Sequence, residues 1–484
     1  MKKKLFNKVL IANRGEIAIR VMRACRELGI ATAAVYSDAD RSAIHVRYAD
    51  EAHHIGGAAA TDSYLQLDRI VKVAHDCGAD AIHPGYGFLA EKPAFPDACD
   101  AAGIKFIGPP ASAMRALGSK LAARRLAVEN GVPVTPGSDA VDPSNALDAA
   151  KQIGFPVMLK PSGGGGGIGM KVVESEKELA AAIESTAQAA RSAFGDATVY
   201  LERYVRKPRH IEIQVICDSH GSAVHLGERE CSIQRRHQKI MEETPSPALT
   251  PEIRAAMGDA AIRAARAAGY VNAGTVEFIF SDGEFYFLEV NARLQVEHPI
   301  TEAVTGIDLV KEQIRIAAGM ELSFKQQDVS WSGHAIEMRI NAEDPLRKFI
   351  PNPKRISRWV APAGPGVRVD SGFGPGSDVP PNYDSLVAKL IVHGADRAEA
   401  IARASRALRE FVVAGPATTI PYHRAILENA DFRAGSLSTR FIEDHPQLVD
   451  QAKAFAADVS PFDYGPDPRH VAAAAAAVAS MVRR

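Results

Sequence analysis

Acidic side chains interrupt two apolar strands that a Ser-Asp-Gly turn at 281–283 joins into a predicted hairpin. Side chains two residues apart share one face of a strand, so Glu289 and Asn291 project together, and the turn allows Glu277 to lie opposite them. Oxygen ligands without cysteine or histidine suit Mg²⁺ or Mn²⁺, the ions that neutralise ATP phosphates. The alternative is a solvated strand face, which the large apolar neighbours disfavour because a buried unpaired acid is costly. The pattern therefore predicts a divalent metal site.

The residues after this hairpin have the chemistry to bind a small oxyanion and to activate it. Arg293 and Gln295 continue the alternation, and an arginine side chain binds a planar anion as a two-pronged donor. Glu297 follows at the same spacing and is a candidate general base. A structural ladder of ion pairs would have the same pattern, so this stretch indicates a site only in combination with others.

A glycine-rich loop is the second candidate site. Residues 163–169 contain six glycines, and Lys160 lies three residues before them. Such a loop can fold its backbone N–H groups around an anion, and the lysine adds a fixed cation. The loop lacks the G-x-x-x-x-G-K-S/T pattern and joins two strands, which argues against a P-loop. A flexible linker is the alternative, but apolar strands flank the loop, and we expect a cover over phosphates.

Two further clusters allow more than one interpretation. The run QRRHQK at 234–239 places three cations and a histidine in six residues. It is either an exposed charged surface or a pocket for a polyphosphate, and the lack of interleaved aromatic residues disfavours RNA. The loop HPGYGF at 83–88 is either the rim of a ligand site or a well-packed turn.

Composition narrows the class of protein. The chain has 484 residues, 57 Lys and Arg against 58 Asp and Glu, and five cysteines without a C-x-x-C spacing. The net charge of −1 offers no overall field for nucleic acid or an anionic membrane, and no apolar run reaches the ~20 residues that cross a bilayer. Scattered cysteines in odd number exclude a disulfide framework. These features predict a cytoplasmic globular protein that binds neither nucleic acid nor membrane.

The elements that would position these residues fall into four predicted units. Residues 1–115 alternate strands with helices, which is typical of a parallel α/β sheet, although NRGEIA follows the first strand instead of the dinucleotide-binding G-x-G-x-x-G. Residues 116–330 contain the glycine loop and the acid hairpin, and residues 331–446 continue with strands and helices. Residues 447–484 are a short tail whose alanine-rich run at 471–482 is a candidate helix.

Taken in order, these motifs resemble the biotin carboxylase component of biotin-dependent carboxylases, a family with the ATP-grasp fold. The resemblance runs from about residue 8 to residue 443. Its markers are IANRGEIA at 11–18, HPGYGFL at 83–89, the glycine loop, PRHIE at 208–212, QRRHQK at 234–239 and QVEHP at 295–299. Six motifs in one order are far more specific than any one of them alone.

The resemblance implies a fold and a reaction. The fold is α/β and α+β, with an N-terminal Rossmann-like domain at 1–115, an ATP-grasp domain at 116–330 that includes a mobile lid at 135–205, and a C-terminal biotin carboxylase domain at 331–446. The reaction is the first half-reaction of an acyl-CoA-type carboxylase, in which MgATP phosphorylates bicarbonate to carboxyphosphate and biotin is then carboxylated at N1′. Phosphoryl transfer depends on positioning and charge neutralisation more than on covalent chemistry, which agrees with lysines, metals and a backbone cover.

The same resemblance implies roles for residues at matching motif positions. Around ATP it places Lys120, Lys160, Gly165, Gly166, Gly167, Glu202, His210, Gln234 and His237. The catalytic set would be Glu297 as the base for bicarbonate, Lys239 near the transferring phosphate, Arg293 and Arg339. Bicarbonate would contact Arg293, Gln295 and the backbone N–H of Val296, and biotin would contact Tyr86 and Arg339, with Arg339 stabilising its enolate. Glu277 and Glu289, with Asn291 assisting, would hold Mg²⁺ or Mn²⁺.

Departures from the family pattern and the expected partners complete the prediction. The family usually has Arg or Lys in the glycine loop where this chain has Ile168, and often Thr where it has Ala292. The expected partners are a second copy of the chain, a biotin carrier protein and a carboxyltransferase that selects the final acceptor, the last two as separate chains because residues 447–484 contain no AMKM-like sequence. Two alternatives stay open: another ATP-grasp ligase that joins a carboxylate to an amine, and a nucleotide-binding subunit without activity, for which Ile168 is the only hint.

Overall fold

Three larger sheets and two two-stranded ribbons carry the fold in the computed structural model, which describes residues 5–163, 169–458, 460 and 462. The alternation of strands and helices confirms the mixed α/β class that the sequence predicts. No helix in this part of the chain is long and apolar enough to span a membrane.

The first sheet is five-stranded and parallel. Its elements, with the helices between them, are β1 (Lys8–Ile11), α1 (Gly15–Glu27), β2 (Ala31–Tyr36), α2 (Ile44–Tyr48), β3 (Glu51–His54), α3 (Leu67–Asp76), β4 (Ala81–His83), α4 (Ala94–Ala101), β5 (Lys105–Phe106) and α5 (Ala111–Leu117). The strand order is β3-β2-β1-β4-β5, and every neighbouring pair is parallel. The central strand β1 buries Val9, Leu10 and Ile11 completely, which explains why its apolar run predicts it. The polar edge strand β3 has no such run, and periodicity did not indicate it.

A small antiparallel sheet carries the glycine loop. After α6 (Lys120–Glu129), its elements are β6 (Gly137–Val141), α7 (Ala146–Ile153), β7 (Val157–Pro161), β8 (Lys171–Val173), α8 (Glu176–Phe194) and β9 (Val199–Arg203). The strand order is β6-β9-β7-β8, and the apolar side chains between this sheet and its helices form a core of their own. The glycine loop connects the paired strands β7 and β8, as the sequence predicts.

An eight-stranded antiparallel sheet forms the centre of the rest of the chain. The strands of its first half are β10 (Arg209–Cys217), β11 (Ala223–Arg235), β12 (Gln238–Thr244), β13 (Asn272–Ser281) and β14 (Glu284–Asn291). Helix α9 (Pro251–Ala267) connects β12 to β13, and helices α10 (His298–Thr305) and α11 (Leu309–Ala317) follow β14. Its second half contains β15 (His334–Asn341), β19 (Val367–Ser371) and β20 (Leu386–Gly394). Between β15 and β19 along the chain lie β16 (Glu343–Asp344) and β17 (Ile350–Pro351), which form a separate ribbon, and β18 (Arg358–Val360), which pairs with a later strand in a second ribbon. The order is β14-β13-β10-β11-β12-β15-β20-β19, and β12 pairs with β15. The sheet is therefore continuous across the boundary predicted between residues 330 and 331.

Helices cover the second half of this sheet and continue past residue 446. They are α12 (Arg397–Glu410), which β21 (Val412–Ala414) follows, α13 (Ile420–Glu428), α14 (Ala430–Arg433), α15 (Phe441–Asp444) and α16 (Leu448–Ala456). Helix α16 packs on α13 and buries Leu448 and Ala452 in the same core. The start of the predicted tail is thus part of the C-terminal core, whereas the alanine-rich run at 471–482 lies outside the described residues.

Candidate active site

The acid hairpin is formed by β13 and β14, as the sequence predicts. Glu277 and Glu289 are directly opposite each other across the two strands, and Asn291 lies two residues after Glu289. The connecting turn requires positive φ at two residues, Asp282 at 53° and Gly283 at 82°, which suits an Asp-Gly pair. Strand alternation and this turn together bring the three candidate metal ligands to one face.

Cations already pair with the carboxylates of this hairpin. Lys120 Nζ lies 3.1 Å from Glu289 Oε2, and His210 Nε2 lies 3.2 Å from Glu277 Oε2. Lys239 Nζ donates a hydrogen bond to Glu277 Oε1 at 2.9 Å. Burial opposes the charge on Glu277, but Lys239 and His210 outweigh it and hold the pKa of that carboxyl well below its usual range. Glu277 is therefore ionised, with Lys239 on one of its oxygens and His210 on the other.

The oxygen atoms of this hairpin fit a hard divalent cation. Two carboxylates and the amide oxygen of Asn291 are the ligand types that Mg²⁺ and Mn²⁺ prefer. The amide oxygen of Asn291 accepts a long hydrogen bond of 3.3 Å from Arg293 Nη2, and a cation at this oxygen would have to displace that contact. Glu277, Glu289 and Asn291 are the residues that would hold the ion.

Lys239 in β12 is the centre of a buried cluster of charges. Its ammonium group donates to Glu212 in β10, to Glu277 in β13 and to Glu297, which precedes α10. Burial by itself disfavours the charge, but these three carboxylates raise the pKa of Lys239 well above its usual value. The lysine is therefore a permanent cation, and a phosphate could reach it only by replacing one of these three carboxylates.

Glu297 is fully buried between two cations. Lys239 Nζ donates to one of its oxygens at 2.7 Å, and Arg339 Nη2 donates to the other at 2.9 Å. Burial opposes the charge of Glu297, yet Lys239, Arg339 and Arg229 outweigh it and hold the pKa of Glu297 well below its usual range. Glu297 can accept a proton from a substrate only as these contacts lengthen, because they stabilise its ionised form.

Arg293 and Gln295 form an adjacent pair of donors. Arg293 Nη1 donates to Gln295 Oε1 at 2.8 Å, and Arg293 Nε lies 3.0 Å from Glu91 Oε2. Gln295 Nε2 is buried and has no hydrogen-bond partner among the described residues. A small anion next to Val296 would therefore find a guanidinium group and an uncommitted amide N–H.

Arg339 and Tyr86 each donate a hydrogen bond to a buried glutamate. Arg339 Nε donates to Glu242 Oε1 at 2.7 Å, and Tyr86 Oη donates to Glu16. Burial opposes the charge of Arg339, but Glu242 and Glu297 raise the pKa of its guanidinium group. Arg339 thus stays charged where an anionic substrate would have to bind.

A cavity of ≈ 630 Å³ brings most of the predicted residues together. Those that line it are Tyr86, His237, Lys239, Glu289, Asn291, Arg293, Gln295, Val296 and Arg339. Gln234 lines a second cavity of ≈ 440 Å³, which shares His237 with the first. The predicted residues among those described that line neither are Lys120, Lys160, Glu202, His210, Glu277 and Glu297. The ion pairs described above link four of these six to the first cavity, whereas Lys160 and Glu202 lie apart in the small sheet.

Lys160 and Glu202 form a buried ion pair between β7 and β9. Arg124 Nη1 lies 3.4 Å from the same glutamate, so Glu202 has two cationic partners. Lys160 must exchange this carboxylate for a phosphate if it binds ATP. The predicted ATP contacts Gly165, Gly166 and Gly167, together with Ile168, lie outside the described residues.

The basic run at 234–239 forms a turn whose residues line two cavities, although Arg236, His237 and Gln238 at its tip are exposed. It connects β11 to β12, and its Arg236 and His237 have positive φ values of 51° and 63°. Gln234 Nε2 donates to the carbonyl oxygen of Cys231 at 2.9 Å. Of the two interpretations that the sequence left open, the position of this turn between two cavities favours the pocket.

Several buried charged residues of the site escaped the sequence-based prediction. They are Glu16, Glu212, Arg229, Glu242 and Lys389. Arg229, which is not exposed at all, donates to Glu212, to Gln214 Oε1 at 2.7 Å and to Thr275 Oγ1 at 3.0 Å. For Lys389 the available signal was a single charge inside an apolar strand, because such a charge is costly to bury unless it is paired.

Family models match three consecutive segments of the chain. Residues 5–114 match the biotin carboxylase N-terminal domain, residues 119–325 match the ATP binding domain of the carbamoyl-phosphate synthase L chain, and residues 337–444 match the biotin carboxylase C-terminal domain.

Curated relatives and solved structures cover nearly the same span. A pyruvate carboxylase subunit of Methanothermobacter thermautotrophicus is 57% identical over 92% of this chain and 91% of its own, and biotin carboxylase 1 of Bacillus subtilis is 54% identical over 91% and 99%. The biotin carboxylase domain dimer of Hydrogenobacter thermophilus 2-oxoglutarate carboxylase, solved with MgADP, ADP and bicarbonate, is 47% identical with a TM-score of 0.89 and covers 92% of this chain and 99% of its own. Biotin carboxylase from Campylobacter jejuni, solved with a β,γ-ATP complex, is 45% identical with a TM-score of 0.89 over 91% and 99%.

Proposed function

The chain belongs to the biotin carboxylase family, and from this premise we propose how its residues divide the reaction among them. The enzyme is an ATP-grasp ligase that carboxylates biotin with bicarbonate in an ATP-dependent reaction. This function is better supported than the two alternatives that the sequence left open, a carboxylate–amine ligase and an inactive subunit. The observation that carries our assignment of residues is Glu297, an ionised carboxylate held between Lys239 and Arg339 beside the cavity.

On the ATP side, three lysines supply positive charge to the phosphates. Lys120, Lys160 and Lys239 each pair with a glutamate, and each would turn to a phosphate oxygen when ATP binds. The residues that complete the nucleotide site in this proposal are Gly165, Gly166, Gly167, Glu202, His210, Gln234 and His237. Mg²⁺ bound by Glu277, Glu289 and Asn291 would neutralise phosphate charge.

On the bicarbonate side, Arg293, Gln295 and the backbone N–H of Val296 would hold the anion. An oxygen of bicarbonate attacks the γ-phosphorus of ATP, ADP leaves, and Glu297 accepts the bicarbonate proton, so that carboxyphosphate forms. This product reacts with water, and the glycine loop would exclude water as it closes over the site.

On the biotin side, Arg339 and Tyr86 would contact the acceptor. The guanidinium group of Arg339 is a permanent cation and would stabilise the negative charge that develops on the biotin ring as its N1′ loses a proton. Tyr86 lines the same cavity and would contact the ring.

The proposed partners are a second copy of this chain, a biotin carrier protein and a carboxyltransferase. A solved relative is described as a biotin carboxylase domain dimer, and a curated relative is named as one subunit of pyruvate carboxylase, which supports assembly with other chains. We also propose that the enzyme works in the cytoplasm, since all five cysteines are free, as in a reducing compartment.

Release of ADP in the presence of free biotin tests this function. We expect release to require bicarbonate and to be accompanied by transfer of labelled bicarbonate to biotin. Release that needs neither bicarbonate nor biotin, or no release with every component present, would contradict the proposal.

A further inference from the structure

A buried lysine and glutamate lie where the three family segments of the enzyme meet. Lys389 in β20 is 0% exposed, and it is the only charged residue in the stretch LVAKLIV at 386–392. Its Nζ lies 3.1 Å from Glu16 Oε1 in α1 and donates to the backbone carbonyl of Val296 at 2.7 Å. An ammonium group is costly to bury unless its charge and its hydrogen bonds are both satisfied. The carboxylate of Glu16 balances the charge of this lysine, and the Val296 peptide accepts one of its hydrogen bonds. Val296 belongs to residues 295–297, the proposed bicarbonate segment.

Lys389 and Arg339 hold consecutive residues of that segment. They are directly opposite each other on β20 and β15, so their side chains leave the same face of the sheet. Arg339 donates to the side chain of Glu297, and Lys389 donates to the carbonyl of Val296. Two neighbouring strands therefore fix both the side chain of the proposed base and the peptide group that precedes it.

Glu16 connects this contact to the proposed biotin contact. Tyr86 Oη donates to the same oxygen of Glu16 that pairs with Lys389. The start of α1 is held against the second half of the large sheet, because a Cβ atom on Gly372 would lie only 2.6 Å from the Cα of Gly15. Tyr86, Glu16 and Lys389 thus form one chain of polar contacts from the biotin side to the bicarbonate segment.

We propose that Lys389 and Glu16 are a positioning pair that sets the geometry of the bicarbonate segment and links it to the biotin side of the cavity. The proposal rests on the function above, since it takes residues 295–297 as the bicarbonate site and Tyr86 as a biotin contact. Lys389 does not line the cavity, so it acts through the Val296 peptide and touches no substrate itself. Of the lysines assigned to ATP, Lys239 contacts this segment through the side chain of Glu297, whereas Lys389 holds the Val296 carbonyl. Loss of Lys389 should therefore affect bicarbonate binding more than ATP binding.

Lys389→Met tests the pair, because it keeps the aliphatic stem and removes the charge and the donor. The KM values for bicarbonate, biotin and ATP are measured from ADP release. We expect the KM for bicarbonate to rise about tenfold, which corresponds to roughly 1.4 kcal/mol, while the KM for ATP stays within about twofold. A wild-type KM for bicarbonate in this variant would overturn the proposal.

A double variant separates positioning from stability. Lys389→Met leaves the carboxylate of Glu16 buried without its cation, and adding Glu16→Gln removes that unpaired charge. The melting temperature should recover in the double variant, whereas the KM for bicarbonate should stay high because Val296 still lacks its donor. Recovery of both together would show that the pair is only structural. If the single variant does not fold, the double variant carries the same test.

Arg254→Met is the matched control. Arg254 also pairs with a buried glutamate, Glu228, at 2.7 Å, and neither residue lines the described cavities. Its loss should lower stability without changing the KM for bicarbonate, and a tenfold change here would overturn the proposal. If the wild-type enzyme shows no ADP release that depends on bicarbonate, the proposed function fails, and this outcome does not depend on any variant.

Discussion

Replacing Glu297 by glutamine tests the proposed base at the centre of the site. The change keeps the shape of the side chain and removes one negative charge between Lys239 and Arg339. Each of these cations keeps another carboxylate partner, such as Glu242 on Arg339. The expected loss of unfolding free energy is therefore that of charged hydrogen bonds, about 1.5–3 kcal/mol. It should stay below the roughly 3–5 kcal/mol that follows when a buried charge loses its only partner.

The catalytic effect should be much larger than the effect on stability. An amide cannot accept the bicarbonate proton, and a positioned general base contributes about 10²–10⁴ to a rate. Biotin carboxylation, measured as transfer of labelled bicarbonate to free biotin, should fall by that factor in Glu297→Gln. Binding of MgADP, measured by calorimetry, should change little, because Glu297 has no role in the proposed nucleotide site.

Glu242→Gln is the matched control for this experiment. Glu242 is the other carboxylate on Arg339, it is equally buried, and it does not line the described cavities. Burial raises the pKa of Glu242 to about 7, so the comparison is made near pH 8, where the wild-type side chain is ionised. More than about a tenth of wild-type carboxylation in Glu297→Gln would remove Glu297 from the role of base. An equal loss in both variants would show that carboxylation falls because Arg339 has lost a carboxylate partner, and not because a base is missing.

Three further changes have defined outcomes. Burial lowers the pKa of His423 from 6.5 to about 4. As the pH falls, the unfolded chain therefore binds a proton at this histidine before the folded protein does. His423 should account for a loss of roughly 2 kcal/mol of unfolding free energy between pH 8 and pH 5. In denaturant titrations, His423→Gln should reduce that loss. Lys120→Met should weaken binding of ADP and strengthen binding of Mn²⁺ alone, because it frees Glu289 of its cation. Ile168→Arg should leave ADP release that depends on bicarbonate within about tenfold of wild type.

Each of these three has a control or a contradicting result. An unchanged pH dependence in His423→Gln would show that other groups cause the acid destabilisation. Lys151→Met removes an exposed lysine that pairs with Glu176 in the small sheet's helices, and it should alter neither ADP nor Mn²⁺ binding. A change well beyond tenfold for Ile168→Arg, in either direction, would assign the glycine loop a role beyond covering phosphates.

The acid hairpin was predictable because its determinants are local. Strand alternation places Glu289 and Asn291 on one face, and a turn with positive φ at Asp282 and Gly283 brings Glu277 opposite Glu289. Both facts depend on residues that lie within a short stretch of the chain. The assignment of these residues to metal binding came from the same local pattern and stays a proposal.

The charge cluster around Lys239 was not predictable from periodicity, because its partners come from distant parts of the chain. Glu212, Glu277 and Glu297 meet this lysine only after β10, β12 and β13 have joined one sheet. The continuity of that sheet through the β12–β15 pair was missed for the same reason. Helix α16 was missed because its nine residues carry no strong local signal, and only packing on α13 orders them.

Opposite charges of the chain itself neutralise one another in the proposed site, and this pairing explains how so many charged side chains can be buried together. Lys120 pairs with Glu289, Lys160 with Glu202, and Lys239 with three glutamates. A buried ion pair contributes little net stability, but one charge left alone is strongly destabilising. If the proposed roles hold, each lysine would exchange a carboxylate for a phosphate when MgATP binds, and the freed carboxylates of the hairpin would receive the metal ion in its place. In such an exchange every buried charge has a partner both before and after binding. The binding free energy of the nucleotide is therefore not reduced by the cost of burying an unpaired charge.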